Sequence, residues 1–199
     1  MLFYPSDAVV PTELRTDDLL LRMLRASDVG LDYDAVISSR EILLLHSGGR
    51  WPREGFTLEE NLADLQGHER DHHARTSFTY TVMNPTETLC LGCVYVNPLH
   101  RMLQRLGAGA DLVTSIEDYA AVVTFWARQS HLAQDLDRRL LHLLLGWLAD
   151  AWAFSNLTFM ANSSQTRHLR IIEEAGLRRL YTVDADGEPH AFFIYGQSA

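Results

Sequence analysis

The sequence contains no lysine: all 17 basic residues are arginine, set against 26 acidic residues, for a formal net charge of -9. Such an acidic chain is a poor partner for nucleic acid, whose binding is driven by phosphate neutralisation, and it steers amine or otherwise basic ligands toward its surface. Cysteine is nearly absent. Cys90 and Cys93 are the only two, spaced C-x-x-C within residues 89–97, LCLGCVYVN. Strand alternation turns residues three apart to opposite faces, and no second pair or nearby histidine completes a zinc site, so both read as core thiols. Long apolar runs are missing as well: the longest, residues 140–154, is broken by His142 and Asp150. It is shorter than the roughly 20 residues that span a bilayer. The opening MLFYPSDAVVP lacks the basic flank and apolar core of a secretory signal. These absences predict a soluble, cytoplasmic protein without a nucleic-acid or membrane partner.

What remains is material for one domain. The 199 residues are 47% hydrophobic, enough to bury roughly 70% of the unfolded surface. Residues 1–13 carry Pro5 and Pro11 without a period and are expected to be a lead-in, leaving residues 14–199 as a single domain. Within it, residues 119–128, YAAVVTFWAR, are rich in β-branched and aromatic side chains and free of glycine and proline, which suits a strand buried on both faces. From Leu136 onward, Leu140, Leu144, Trp147, Leu148, Ala151 and Trp152 make one stripe on a helix. Residues 129–135 form the polar turn between them. A strand running straight into a helix leaves the first helical N–H groups without partners, which is an anion site in waiting.

Around this centre, residues 19–24 alternate as a first strand, and Ser27 or Asp28 caps a helix over 28–39. Residues 46–55, HSGGRWPREG, are a loop, after which Thr57 and Glu60 form a capping box for a second helix. That helix contains a literal H-E-x-x-H, from His68 to His72. The pattern could place two zinc ligands and a base on one face, but its polar neighbours favour a solvated surface instead. Residues 77–83 and 89–97 are antiparallel strands around NPTET. Residues 98–117 are an unusually long connection, functional or partly helical. Residues 156–161 are a strand, residues 162–175 a helix closed by Gly176, and residues 177–183 and 191–195 a hairpin across an Asp-Gly turn in DADGEP.

Taken together, LRTDDLLLRMLRASD, LGCVYV, VTFWARQSH and LDRRLLHLLLGWL resemble the GNAT acyltransferases, and the first of these resembles the RimJ/RimL-type ribosomal-protein N-terminal acetyltransferases. The resemblance covers residues 14–196. It implies an α/β fold with a twisted, mixed, roughly seven-stranded sheet and helices on both faces. It also implies an acetyl-CoA-dependent N-acetyltransferase in which a small-molecule or peptide amine attacks the thioester directly. Phe125, Trp126, Ala127 and Arg128 would flank the pantetheine arm. Ala133, Gln134, Asp135, Leu136, Asp137, Arg138 and Arg139 would hold the pyrophosphate. Arg50 and Trp51 would touch the acceptor, with Trp51 as a core anchor the competing reading. No resident metal is implied, and a homodimer covering the long connection is a fair expectation.

Three departures from the family pattern stand at chemical positions. Leu132, Asp135 and Asp137 replace the loop's usual Gln or Arg, Gly, and Gly or Ala. An aspartate at a helix start is a good N-cap, worth about 1 kcal/mol, but it competes for the amides that a pyrophosphate needs. A carboxylate some 4 Å from a phosphate costs roughly 4 kcal/mol at an effective dielectric of about 20, which Arg128, Arg138 and Arg139 are expected to offset. Gln165 and His168 stand where the family has Asn and Ser. His168 is a candidate proton donor to the departing thiolate, or else a plain surface histidine. Val122 stands at the usual glutamate base, leaving Glu117 and Asp118 as its substitutes. A scaffold that has lost its phosphate loop and only binds a ligand is the alternative function.

Overall fold

The computed structural model describes residues 3–109, 112, 119–154, 156–184 and 189–197. Eight strands form one sheet in the order β1-β2-β3-β4-β5-β6-β8-β7. They are β1 Glu13–Arg15, β2 Leu20–Met23, β3 Phe78–Met83, β4 Cys90–Pro98, β5 Ala121–Ala127, β6 Leu157–Asn162, β7 Arg178–Val183 and β8 Phe192–Gly196. Every neighbouring pair is antiparallel except β5 and β6. The helices are α1 Val29–Ser38, α2 Arg40–His46, α3 Leu58–His73, α4 Leu99–Arg105, α5 Leu136–Ala151 and α6 Thr166–Glu174. The sheet therefore has one strand more than expected. Glu13–Arg15, on the border of the expected lead-in, pairs with β2.

Alternation along β5 sorts the core into layers. Ala121, Val123, Phe125 and Ala127 pack with Leu136, Leu140, Leu141 and Leu144 of α5. Val122 packs with Leu99 and Leu103 of α4, and Trp126 with Val36 and Leu65 of α1 and α3. Each fully buried leucine on the α5 stripe contributes about 1.5–3 kcal/mol, which is what clamps the helix to the strand it follows. α5 ends where Trp152 turns extended, its indole buried in the same cluster.

Several expectations need correction. α2 was not foreseen; Ser39 separates it from α1 by breaking the helical geometry. Cys90 and Cys93 do not face opposite ways, because the register shifts between Val82 and Met83, so that Val82 opposes Gly92 and Met83 opposes Cys90. The bulge absorbs one residue and both thiols enter the same cluster. Burial pushes the Cys90 thiol up to about 12, so both are inert core groups, as expected. Asp28 precedes α1 but makes no side-chain cap of that helix; it accepts two bonds from the Arg22 guanidinium, at 2.8 and 2.9 Å. The H-E-x-x-H segment is solvated only in part: Arg70 and Asp71 are exposed, His68 and Glu69 half-buried, and His72 buried. His72 Nδ1 lies 3.1 Å from the Thr79 carbonyl oxygen and 3.2 Å from the Thr79 nitrogen, its ring packs against Phe78 and Tyr80, and burial lowers it to about 4. Among the described residues no His, Cys, Asp and Glu group is suited to hold a metal. The long connection begins as α4, and the expected Asp-Gly turn lies outside the described residues. Among the described residues no helix is long and apolar enough to cross a membrane.

Candidate active site

β5 and β6 pair only over Ala121–Leu157, Val122–Thr158 and Val123–Phe159. Beyond that point β6 continues on β8, while β5 runs on beside β4 alone. The sheet splits there, and the β6-facing edge of Thr124 to Ala127 is open to a ligand that can satisfy backbone groups. Two cavities meet at the split. One, of about 120 Å³, lies on the α5 and α6 side and is lined by Phe125, Trp126, Ala127, Asp137, Arg167 and His168 among others. The other, of about 360 Å³, lies on the α4 side, with Thr124, Met160, Arg50, Arg105, Met102 and Phe192 in its wall. His46 and Gln165 border both.

The throat between them is built by the C-terminal end of α2. Asn162 Nδ2 donates to the Leu45 and His46 carbonyls at 2.7 and 3.1 Å, while the Ser164 hydroxyl donates its one proton to Asn162 Oδ1 at 2.6 Å and orients that amide. The Nδ2 bonds satisfy carbonyls that a helix end leaves without partners. The Asn162 N–H holds Gln165 Oε1 at 2.9 Å, and Gln165 Nε2 lies 3.3 Å from His46 Nδ1. Desolvation lowers His46 to about 4. Desolvation first, then the neighbouring His46, lowers His168 to about 3, its ring centre 4.4 Å from that of Phe125. Both imidazoles are neutral near pH 7. Burial thus moves His168 down from the near-neutral value expected of it, while its ring lines the smaller cavity, where it can donate or accept a hydrogen bond.

At the mouth of the smaller cavity a 3-10 turn, Gln129–Gln134, leads through Asp135 into α5. Asp135 adopts a left-handed backbone, φ 54, and makes no side-chain cap. The anticipated capping of the amides fails for Asp135 but holds in part for Asp137, whose Oδ1 accepts the Arg138 N–H at 3.0 Å. Both carboxylates also bind Arg167 on α6. Its Nε donates to Asp137 Oδ2 at 2.6 Å, and its Nη2 to Asp137 Oδ1 at 2.8 Å, Asp135 Oδ1 at 2.9 Å and the Leu132 carbonyl at 3.0 Å. Burial alone would raise the Asp137 carboxyl; the Arg167 bonds reverse this and hold it below its ordinary value.

Of the arginines expected near the loop, Arg128 is buried with Nη2 on Asp34 at 2.6 Å, Arg138 reaches Glu174 at 2.5 Å, and Arg139 reaches Asp18 at 3.0 Å. The loop's charge is balanced by Arg167, which the sequence did not single out. Phe125, Trp126, Ala127, Asp137, Gln165 and His168 do converge on the split. Ala133 and Gln134 are exposed on the 3-10 turn, while Leu136 belongs to the core. Arg50 reaches the larger cavity, whereas Trp51 packs edge-on against Phe56, away from the throat, the core-anchor alternative. Glu117 and Asp118 lie outside the described residues. His46 and Asn162 were missed, and no local pattern marks them: they meet only because α2 docks on the end of β6.

No protein-family profile matches the sequence. No curated protein matches it significantly either. Solved structures do match across nearly the whole chain, and the fold is that of the GNAT acetyltransferases. A protein described as a putative ribosomal-protein-serine acetyltransferase from Vibrio cholerae aligns with a TM-score of 0.69 at 14% identity, covering 94% of this chain and 97% of that one. RimL, a ribosomal L7/L12 alpha-N-protein acetyltransferase in complex with coenzyme A, aligns at 0.69 and 15% identity over 92% and 94%. The microcin C7 self-immunity acetyltransferase MccE, in complex with acetyl-CoA and AMP, aligns at 0.72 and 10% identity over 96% and 99%.

Proposed function

We propose that this protein is an acetyl-CoA-dependent N-acetyltransferase acting on a primary amine of a small molecule or peptide. The observation that carries the reading is the split between β5 and β6, which leaves the Thr124 to Ala127 edge open between a cavity at the start of α5 and a second cavity on the α4 side. Structures of this fold are known with coenzyme A or acetyl-CoA bound. In this chain the pantetheine amides pair with the open edge of β5, and the pyrophosphate lies at the start of α5 beside Arg167. The amine enters from the α4 side. Holding the two reactants at one throat supplies most of the rate, since direct attack needs no covalent nucleophile.

Thiol release from acetyl-CoA, measured across a panel of amines and N-terminal peptides, tests the reading. Turnover with at least one acceptor is expected. A second reading, a scaffold that binds without catalysis, is favoured by one observation: Arg167 is already engaged by Asp135 and Asp137. Saturable acetyl-CoA binding without turnover on any acceptor would select it.

A further inference from the structure

His46 is set at the throat with a defined proton. The Asn162 N–H occupies Gln165 Oε1, which fixes the orientation of the Gln165 amide. The group presented to His46 is therefore the Nε2 amine, which can only donate, and it faces Nδ1 at 3.3 Å. A neutral imidazole whose Nδ1 accepts carries its proton on Nε2. Among the described residues Nε2 has no protein partner, and the residue borders both cavities. The α2 end that carries it is pinned by two bonds from Asn162 Nδ2, so the ring is preorganised.

We propose that His46 donates its Nε2–H to the thioester carbonyl oxygen of acetyl-CoA at the throat, stabilising the negative charge that grows there during attack. The inference rests on the acetyl-transfer reading above. The amine nitrogen bonds to the carbonyl carbon, the C–S bond breaks, and its electron pair leaves with sulfur. The proton lost by the amine goes to solvent and one returns to the thiolate, while the imidazole keeps its own. Desolvation holds His46 neutral, with a pKa near 4, so the donor is an uncharged imidazole through the range in which amines are nucleophilic. A fixed donor aimed at the developing oxyanion is worth about a hundredfold or more in rate.

Infrared difference spectroscopy of acetyl-CoA labelled with carbon-13 at the thioester carbonyl tests this without turnover. Bound to the wild-type protein, the carbonyl stretch should fall below its position in free acetyl-CoA. In His46→Leu it should return to the free position while affinity for acetyl-CoA changes less than threefold and kcat drops about a hundredfold. His46→Gln, which keeps an N–H donor, should restore part of the shift. Gln165→Met frees the tautomer and should shrink it, and this variant carries the test where His46→Leu does not fold. A shift that persists unchanged in these variants, or is absent from the wild-type complex, overturns the proposal. Folded wild-type protein that shows no saturable acetyl-CoA binding overturns the functional reading itself, a distinct result.

Discussion

Asp32 lies in the core between α1 and α3, with the Asn61 side-chain amide donating to it at 2.9 Å. Desolvation raises its carboxyl from 3.8 to about 6, against the opposing Asn61 bond. The folded state holds this proton more tightly than the unfolded chain, so Asp32 favours the fold most at low pH. That contribution is lost as pH rises from about 4 to about 6 and stays lost above. Asp32→Asn should raise the unfolding free energy by about 1–3 kcal/mol at pH 7.5 and give little at pH 4, as read by urea denaturation at both values. The same comparison of charges applies at the loop. Asp135→Gly removes one carboxylate and relieves a left-handed backbone at φ 54; it should tighten acetyl-CoA binding about tenfold, or about 1.4 kcal/mol. Arg167→Gln strips the buried Asp137 of its main partner and should weaken acetyl-CoA binding by about tenfold or more while lowering stability by about 1–3 kcal/mol. Calorimetric titration of the two variants beside the wild type gives both comparisons.

At the scale of elements, the β5-turn-α5 unit was legible because composition and period agree with burial: the β5 strand is buried throughout, and the leucine stripe faces it. What sequence could not show depended on a third element. α2 carries His46 into the split, yet its seven residues are too short for a helical stripe to stand out, and its end is satisfied by the side chain of Asn162 at the end of β6. The cysteine faces were misread for a similar reason, since alternation holds only without a bulge. Gly92 permits that bulge. A side-chain carbon there would collide with the Trp126 carbonyl oxygen of β5. Gly92→Ala should therefore cost about 1–3 kcal/mol in thermal or urea unfolding and disturb the strand that flanks the cleft.

For the whole molecule, the order of elements and the mixed sheet follow from patterns spread over the entire chain, which is why the fold was readable despite identities of 10–15% to the three structures compared above. The charge arrangement of the site was not. Arg128, Arg138 and Arg139 sit close to the loop in sequence but are paired with Asp34, Glu174 and Asp18, while Arg167 arrives from α6. Proximity along the chain predicted the residues lining β5 and failed for the ions, whose partners are chosen by packing. The central claim is that the gap between β5 and β6 holds acetyl-CoA even though aspartates stand at the loop. Isothermal titration of acetyl-CoA into the wild-type protein tests it most directly. A one-to-one isotherm with a low-micromolar Kd is predicted; no saturable heat up to millimolar acetyl-CoA, from protein that still unfolds cooperatively, would contradict it.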